Sequence, residues 1–189
     1  MNTKEKIIQS ARNLFETYGY KKVSMKEIAT GAHITKKTLY SYFNNKDDLF
    51  EYFMNEEINS MKEIITKFDR KKIPPHQMFH EILCELIKYK RESKFINIIT
   101  REIEYIKFSK LKKFDNKIND NIKKFIEERL DLLIEKKEIK DVNVKIVSMI
   151  IYNLYKVTLF SDQVKEFDEK EISDTLTLIL KEGLISGVK

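Results

Sequence analysis

Five hydroxyls and two ammonium groups stand within eight residues, on Thr35, Lys36, Lys37, Thr38, Tyr40, Ser41 and Tyr42, and no carboxylate follows until Asp47. Such groups bond phosphate oxygens and base edges, whereas a carboxylate among them would be repelled by a polynucleotide backbone. The chemistry on offer is non-covalent recognition of nucleic acid. Catalysis finds no comparable set: there is no glycine-rich phosphate loop, no cysteine pair and no serine motif on a strand-to-helix turn. His76 and His80 lie four apart, a spacing that puts both on one helix face and can chelate a metal, yet no third ligand stands nearby. They read as surface histidines, and Cys84 on the flank of the same helix reads as a small packing residue. No metal, no cofactor and no enzymatic activity is expected.

The polar set needs a scaffold, and its neighbours supply one. Ser24 can cap a helix with Glu27 closing a capping box, while Val23 packs on Ile28 as a hydrophobic staple. Ile34, Thr35 and Leu39 repeat the pattern for a second helix, with Thr38 in place of the acid, and Leu39 and Phe43 form its inward stripe. Helices this short do not persist alone in water. The pair must therefore pack on other helices, as in the helix-turn-helix arrangement that lays its second helix in the DNA major groove. Upstream, Ile8, Ala11, Phe15 and Tyr18 recur at helical spacing, so residues 4–18 form an amphipathic helix ended by Gly19 in a left-handed turn. The first 50 residues thus make a three-helix head.

Over IIQSARNLFETYGYKKVSMKEIATGAHITKKTLYSYFNNKDDL the chain resembles the N-terminal domain of the TetR (tetracycline-repressor) family of transcriptional regulators. Matching positions include Ile8, Ala11, Leu14, Phe15, Gly19, Tyr20, Ser24, Ile28, Ala29, Ala32, Ile34, Leu39, Phe43 and Leu49. The resemblance implies DNA contact by Ser24, Thr35, Lys36, Lys37, Thr38, Tyr40, Tyr42 and Lys46, with Tyr42 and Lys46 mainly on phosphate. His33 and Lys37 stand where the family usually or often has glycine. Histidine tolerates left-handed backbone better than most residues. Lys37 puts a charge where a missing side chain would let the backbone approach DNA, so no particular operator sequence carries over.

Composition agrees. Four Gly, two Pro and abundant Ile, Leu, Lys and Glu favour an all-α chain, and 42% hydrophobic content over 189 residues suffices for a sizeable core. Residues 1–50 hold nine Lys or Arg against five Asp or Glu, while the remainder holds 27 against 25, so the positive excess sits in the head. A single Cys84 rules out an intramolecular disulfide and fits a reducing cytosol. No signal peptide is evident, and the longest charge-free apolar stretch, around 146–155, is too short for a bilayer. A cytoplasmic protein without membrane contact is expected.

The expected organisation is a DNA-binding head over 1–48 and a helical effector-binding and dimerisation body over 49–189, about nine helices in all. A long helix runs from 46 to about 71, and Pro74-Pro75 breaks the chain before the next. Lys-rich pieces near 70–72, 110–113 and 136–140 read as solvated turns or helix ends. Residues 142–161 are apolar nearly all round, and 169–187 place Ile172, Leu176, Ile179, Leu180, Gly183 and Leu184 on one helical face. Such a pair suggests a subunit interface, a four-helix bundle across a twofold axis, and the family resemblance implies the same. Helices over 76–90, 95–108, 117–135 and 142–160 carry a surplus of large side chains. Phe79, Phe95, Glu102, Tyr105, Phe125, Met149, Tyr152 and Tyr155 are the residues expected to line a pocket for a small apolar or aromatic effector.

These readings describe a sequence-specific regulator: a ligand-released repressor acting as a homodimer on a pseudo-palindromic operator of double-stranded DNA. The alternatives are a DNA-binding accessory protein that senses no ligand, and a helical protein-interaction module.

Overall fold

The computed structural model describes residues 1–98, 102, 112–160 and 166–184. Its helices are α1 (Thr3–Tyr18), α2 (Met25–Gly31), α3 (Lys36–Tyr40), α4 (Lys46–Phe68), α5 (Pro75–Glu92), α6 (Lys112–Glu135), α7 (Val144–Phe160) and α8 (Glu169–Leu184). Residues 94–98 are helical as well, and no strand occurs among the described residues. The all-helical expectation is met. None of the described helices is long and apolar enough to cross a membrane. The chain divides into two compact units, Met1–Ser60 with Glu92–Asp115, and Met61–Arg91 with Asn116–Lys189.

In the first unit, Asn2 caps α1 and exchanges hydrogen bonds with Glu5 in a capping box. The helix ends at Gly19, with φ 81° and ψ 163°. The φ is positive as expected, but this ψ lies beyond the left-handed helical region, in territory that residues bearing a Cβ hardly enter. The buried face of α1 is Ile7, Ala11 and Phe15, spaced by four. Tyr18, expected on that face, is 60% exposed, and Tyr20 occupies the core instead. Around Phe15 the rings of Tyr20, Phe50, Phe53 and Phe95 gather at centroid separations between 4.6 and 6.0 Å, with Phe50 and Phe53 edge-on to Phe15. Each such ring contributes about 2–3 kcal/mol by burial, with a further increment from edge-to-face geometry.

In the second unit, α5 turns Phe79, Ile82, Leu83, Leu86 and Ile87 inward at helical spacing. One core cluster joins Phe68 to Ile82, Leu83, Leu86 and Ile87; another joins Phe79 to Leu130, Leu133, Ile139, Ile151 and Leu184. Tyr155 packs on both. Proline begins α5, where its missing N–H costs nothing.

Candidate nucleic-acid interface

Local capping chemistry builds the two short helices. The Glu27 carboxylate accepts from the Ser24 amide at 2.8 Å and the Ser24 hydroxyl at 2.7 Å, while the Glu27 amide donates back to Ser24 Oγ. Those bonds hold the Glu27 carboxyl below its ordinary pKa, the Ser24 hydroxyl having the largest effect. The helix closes through Ala32 N–H to Ile28 C=O, His33 N–H to Thr30 C=O and Ile34 N–H to Ala29 C=O. His33 sits at φ 56°, the left-handed residue such a closure requires. Ser10 Oγ donates to the Ile28 carbonyl at 2.9 Å, in a buried contact that ties α1 to α2. A Cβ on Gly31 would lie 2.5 Å from that same Oγ. Periodicity offered no sign of this crossing, because it pairs a polar residue with a glycine.

Thr35 caps α3 by accepting from the Thr38 amide at 3.1 Å, and the two hydroxyls share a 2.9 Å hydrogen bond. Leu39 and Phe43 are buried and anchor the helix. Lys36, Lys37, Tyr40 and Tyr42 face outward, the two tyrosines 48% and 46% exposed. Among the described residues their side chains make no hydrogen bond or ion pair. Unpaired cations on an open face are what a polyanion binds, releasing its counterions as it does so.

Lys46 is placed differently from these groups. Its ammonium donates to the Tyr20 carbonyl at 2.7 Å and approaches the Lys21 carbonyl at 3.4 Å, while lying 4.2 Å from the centre of the Tyr20 ring. Partial burial lowers its pKa, with Asp47, Glu102 and Glu27 pulling the other way. It braces the segment after α1 as well as adding charge. Nearby acids are likewise occupied: Asp47 accepts from the Tyr20 hydroxyl, and Asp48 accepts from the Asn44 amide group at 2.7 Å.

The expected effector residues scatter. Phe79, Phe125 and Tyr155 line one cavity of about 620 Å³ in the second unit. Phe95 belongs to the aromatic core of the first unit, and Glu102 lies there beside Gly19. Met149 is 49% exposed, Tyr152 donates to Asn119, and Tyr105 lies outside the described residues. His80 Nε2 lies 3.0 Å from Asp174 Oδ1 and 3.4 Å from Ser173 Oγ. Of the residues expected at a subunit interface, Ile172, Leu176, Leu180 and Leu184 pack into cores of their own unit. Ile179 and Gly183 remain exposed.

Residues 7–53 match the sequence model described as bacterial regulatory proteins, tetR family. The chain is 23% identical over 131 residues to the HTH-type transcriptional regulator YhgD of Bacillus subtilis, spanning 69% of each chain. A TetR-family transcriptional regulator from Pectobacterium atrosepticum superposes with a TM-score of 0.74 at 17% identity, covering 97% of this chain and 95% of that one. AibR, solved with isovaleryl coenzyme A and operator DNA, superposes with a TM-score of 0.60 at 20% identity, covering 94% and 97%.

Proposed function

We propose that this chain, a TetR-family protein by its head, is a sequence-specific transcriptional regulator that binds operator DNA as a homodimer and is released by a small effector. The observation that carries the DNA reading is α3 itself. Its two caps and the His33 turn hold Lys36, Lys37 and Tyr40 outward with no internal partner among the described residues. One five-residue helix reaches only a few base pairs, so useful discrimination requires two heads on the half-sites of an inverted repeat.

The homodimer reading is supported by apolar surface. Ile146, Met149, Ile150 and Val157 form an exposed stripe on α7, and Leu178 and Ile179 are exposed on α8. Isolated apolar residues on a surface are ordinary, but a helical stripe of them marks a face that is covered in an assembly. A second copy of the same face is the natural cover. The effector reading is supported by the cavity, whose volume suits a small ligand. Such a ligand releases DNA only by binding the DNA-incompetent state more tightly. Bound this way to a promoter, the protein acts as a repressor.

Selection of bound genomic fragments should return one short inverted repeat, with affinity falling steeply as salt rises. Recovery of fragments sharing no repeat would overturn sequence-specific regulation. Within that assay, Lys37→Ala should change preference among operator variants. Lys46→Ala should weaken binding to all DNA alike, reduce the salt slope by about one unit, and lower the melting temperature because its carbonyl contacts are lost. A Lys46→Ala protein with altered sequence preference and unchanged melting would sink this division of roles.

A further inference from the structure

The cavity of the second unit is apolar inside and cationic at its edge. Buried Phe79, Leu130, Leu133 and Ile151 line its interior. At the edge stand Arg70, Lys71, Lys72, Arg129 and Lys136 against Asp69 and Glu138, an excess of three positive charges. Lys71 pairs with Glu81 at 2.9 Å, but Arg70, Lys72 and Lys136 have no ion-pair partner among the described residues.

Arg129 is the most constrained of these groups. Nη2 donates to Asp69 at 2.8 Å, Nη1 donates to the Phe125 carbonyl at 3.2 Å, and the guanidinium lies 3.5 Å from the centre of the Phe125 ring. Its third nitrogen, Nε, carries an N–H that is buried without a hydrogen-bond partner among the described residues. A buried donor left unmade is costly, and an acceptor that fills it recovers that free energy. The guanidinium is held in place before any ligand arrives, so little ordering opposes the new bond.

We propose that the ligand of this cavity is an amphipathic anion: an apolar chain against Phe79, Leu133 and Ile151, with an anionic head accepting from Arg129 Nε–H beside the basic edge. This inference rests on the effector reading and narrows its chemistry from a merely apolar compound to one carrying a negative charge. Cationic ligands are opposed by the edge, and small anions leave the apolar interior unfilled. Tyr155 lines the same cavity, and burial raises its hydroxyl pKa above the usual value. It therefore stays an O–H donor at neutral pH.

Calorimetric titration of the full-length protein with decanoate, decanol and acetate, each below any micellar range, tests the class. Decanoate should bind saturably, decanol at least about tenfold more weakly, and acetate not measurably. Decyl phosphate distinguishes a phosphate head from a carboxylate head, and saturable binding of either anion supports the inference. Arg129→Gln should bring decanoate down to the affinity of decanol and leave decanol unchanged. Because Arg129 also braces Asp69 and Phe125, Lys72→Gln with Lys136→Gln is the second variant; both positions are exposed. It should weaken decanoate severalfold at low salt with an unchanged melting temperature. Equal binding of decanoate and decanol would overturn the anionic head while leaving an apolar effector standing. Binding of none of the chain-bearing probes would overturn the inference. The effector reading itself falls only if no compound of a broad apolar library raises the melting temperature or releases operator DNA.

Discussion

Leu176→Glu with Leu180→Glu should unfold the second unit, whereas Ile150→Glu with Ile179→Glu should leave it folded and monomeric. All four residues are large and apolar, and sequence spacing alone puts Leu176, Ile179 and Leu180 together on the partner-facing side of their helix. In the fold, Leu176 packs against the cluster of Phe68, Ile82 and Leu86, and Leu180 against the cluster of Phe79, Leu130 and Ile151. Losing each leucine side chain from such a site costs about 2 kcal/mol or more. A carboxylate without a partner adds to that cost. The pair then consumes much of the 5–15 kcal/mol that holds a typical domain. Ile150 and Ile179 are 47% and 56% exposed, so glutamate there meets water in the monomer and a second apolar face only in a dimer. Sedimentation should therefore give folded monomers for the second pair, with operator affinity reduced at least a hundredfold because half-site coupling is lost. A dimer of normal affinity after Ile150→Glu with Ile179→Glu would remove this face from the interface.

The parts of this chain that were legible in sequence are those decided within a few residues. The Ser24–Glu27 box and the Thr35 cap follow from neighbours three positions away, the start of α5 follows from Pro75 itself, and the left-handed turn at His33 follows from the glycine that the family resemblance puts there. What escaped depends on partners far along the chain. Lys46 reads as mainly a phosphate contact, and nothing local shows that Tyr20 and Lys21 also present carbonyls to it. Phe95 read as a pocket residue because periodicity gives a face but not the element it meets, here Phe50 and Phe53. Lysines near 70–72 and 136–140 read as separate solvated turns, although Lys72 and Lys136 edge one cavity. On α8 the apolar set wraps more of the helix than one neighbour covers. Only packing distinguishes the side that faces its own core from the side left open.

Arg12→Met should destabilise the first unit by about 3 kcal/mol and abolish DNA binding well below the melting temperature of the parent. Glu57 is 5% exposed and its Oε1 lies 3.5 Å from Arg12 Nη1, while its Oε2 accepts from Ser93 Oγ at 2.8 Å. Removing the guanidinium leaves a buried carboxylate without that cation, and breaking one side of such a pair costs about 3–5 kcal/mol. Since a third of the Arg12 side chain is exposed, the lower end of that range applies. Methionine retains an apolar stem beside Phe53, over whose ring Arg12 lies at 5.0 Å, so lost packing contributes little. The effect reaches DNA because α1 bears both Arg12 and Ser10, and Ser10 is the residue that ties α2 in place through the Ile28 carbonyl. Glu57→Gln in the Arg12→Met background separates charge from shape. The amide keeps an acceptor for Ser93 and carries no charge, so most of the lost stability should return in urea unfolding, together with operator binding. If Arg12→Met lies within about 0.5 kcal/mol of the parent, or if Glu57→Gln returns nothing, the ion pair is not what braces α1 against α4.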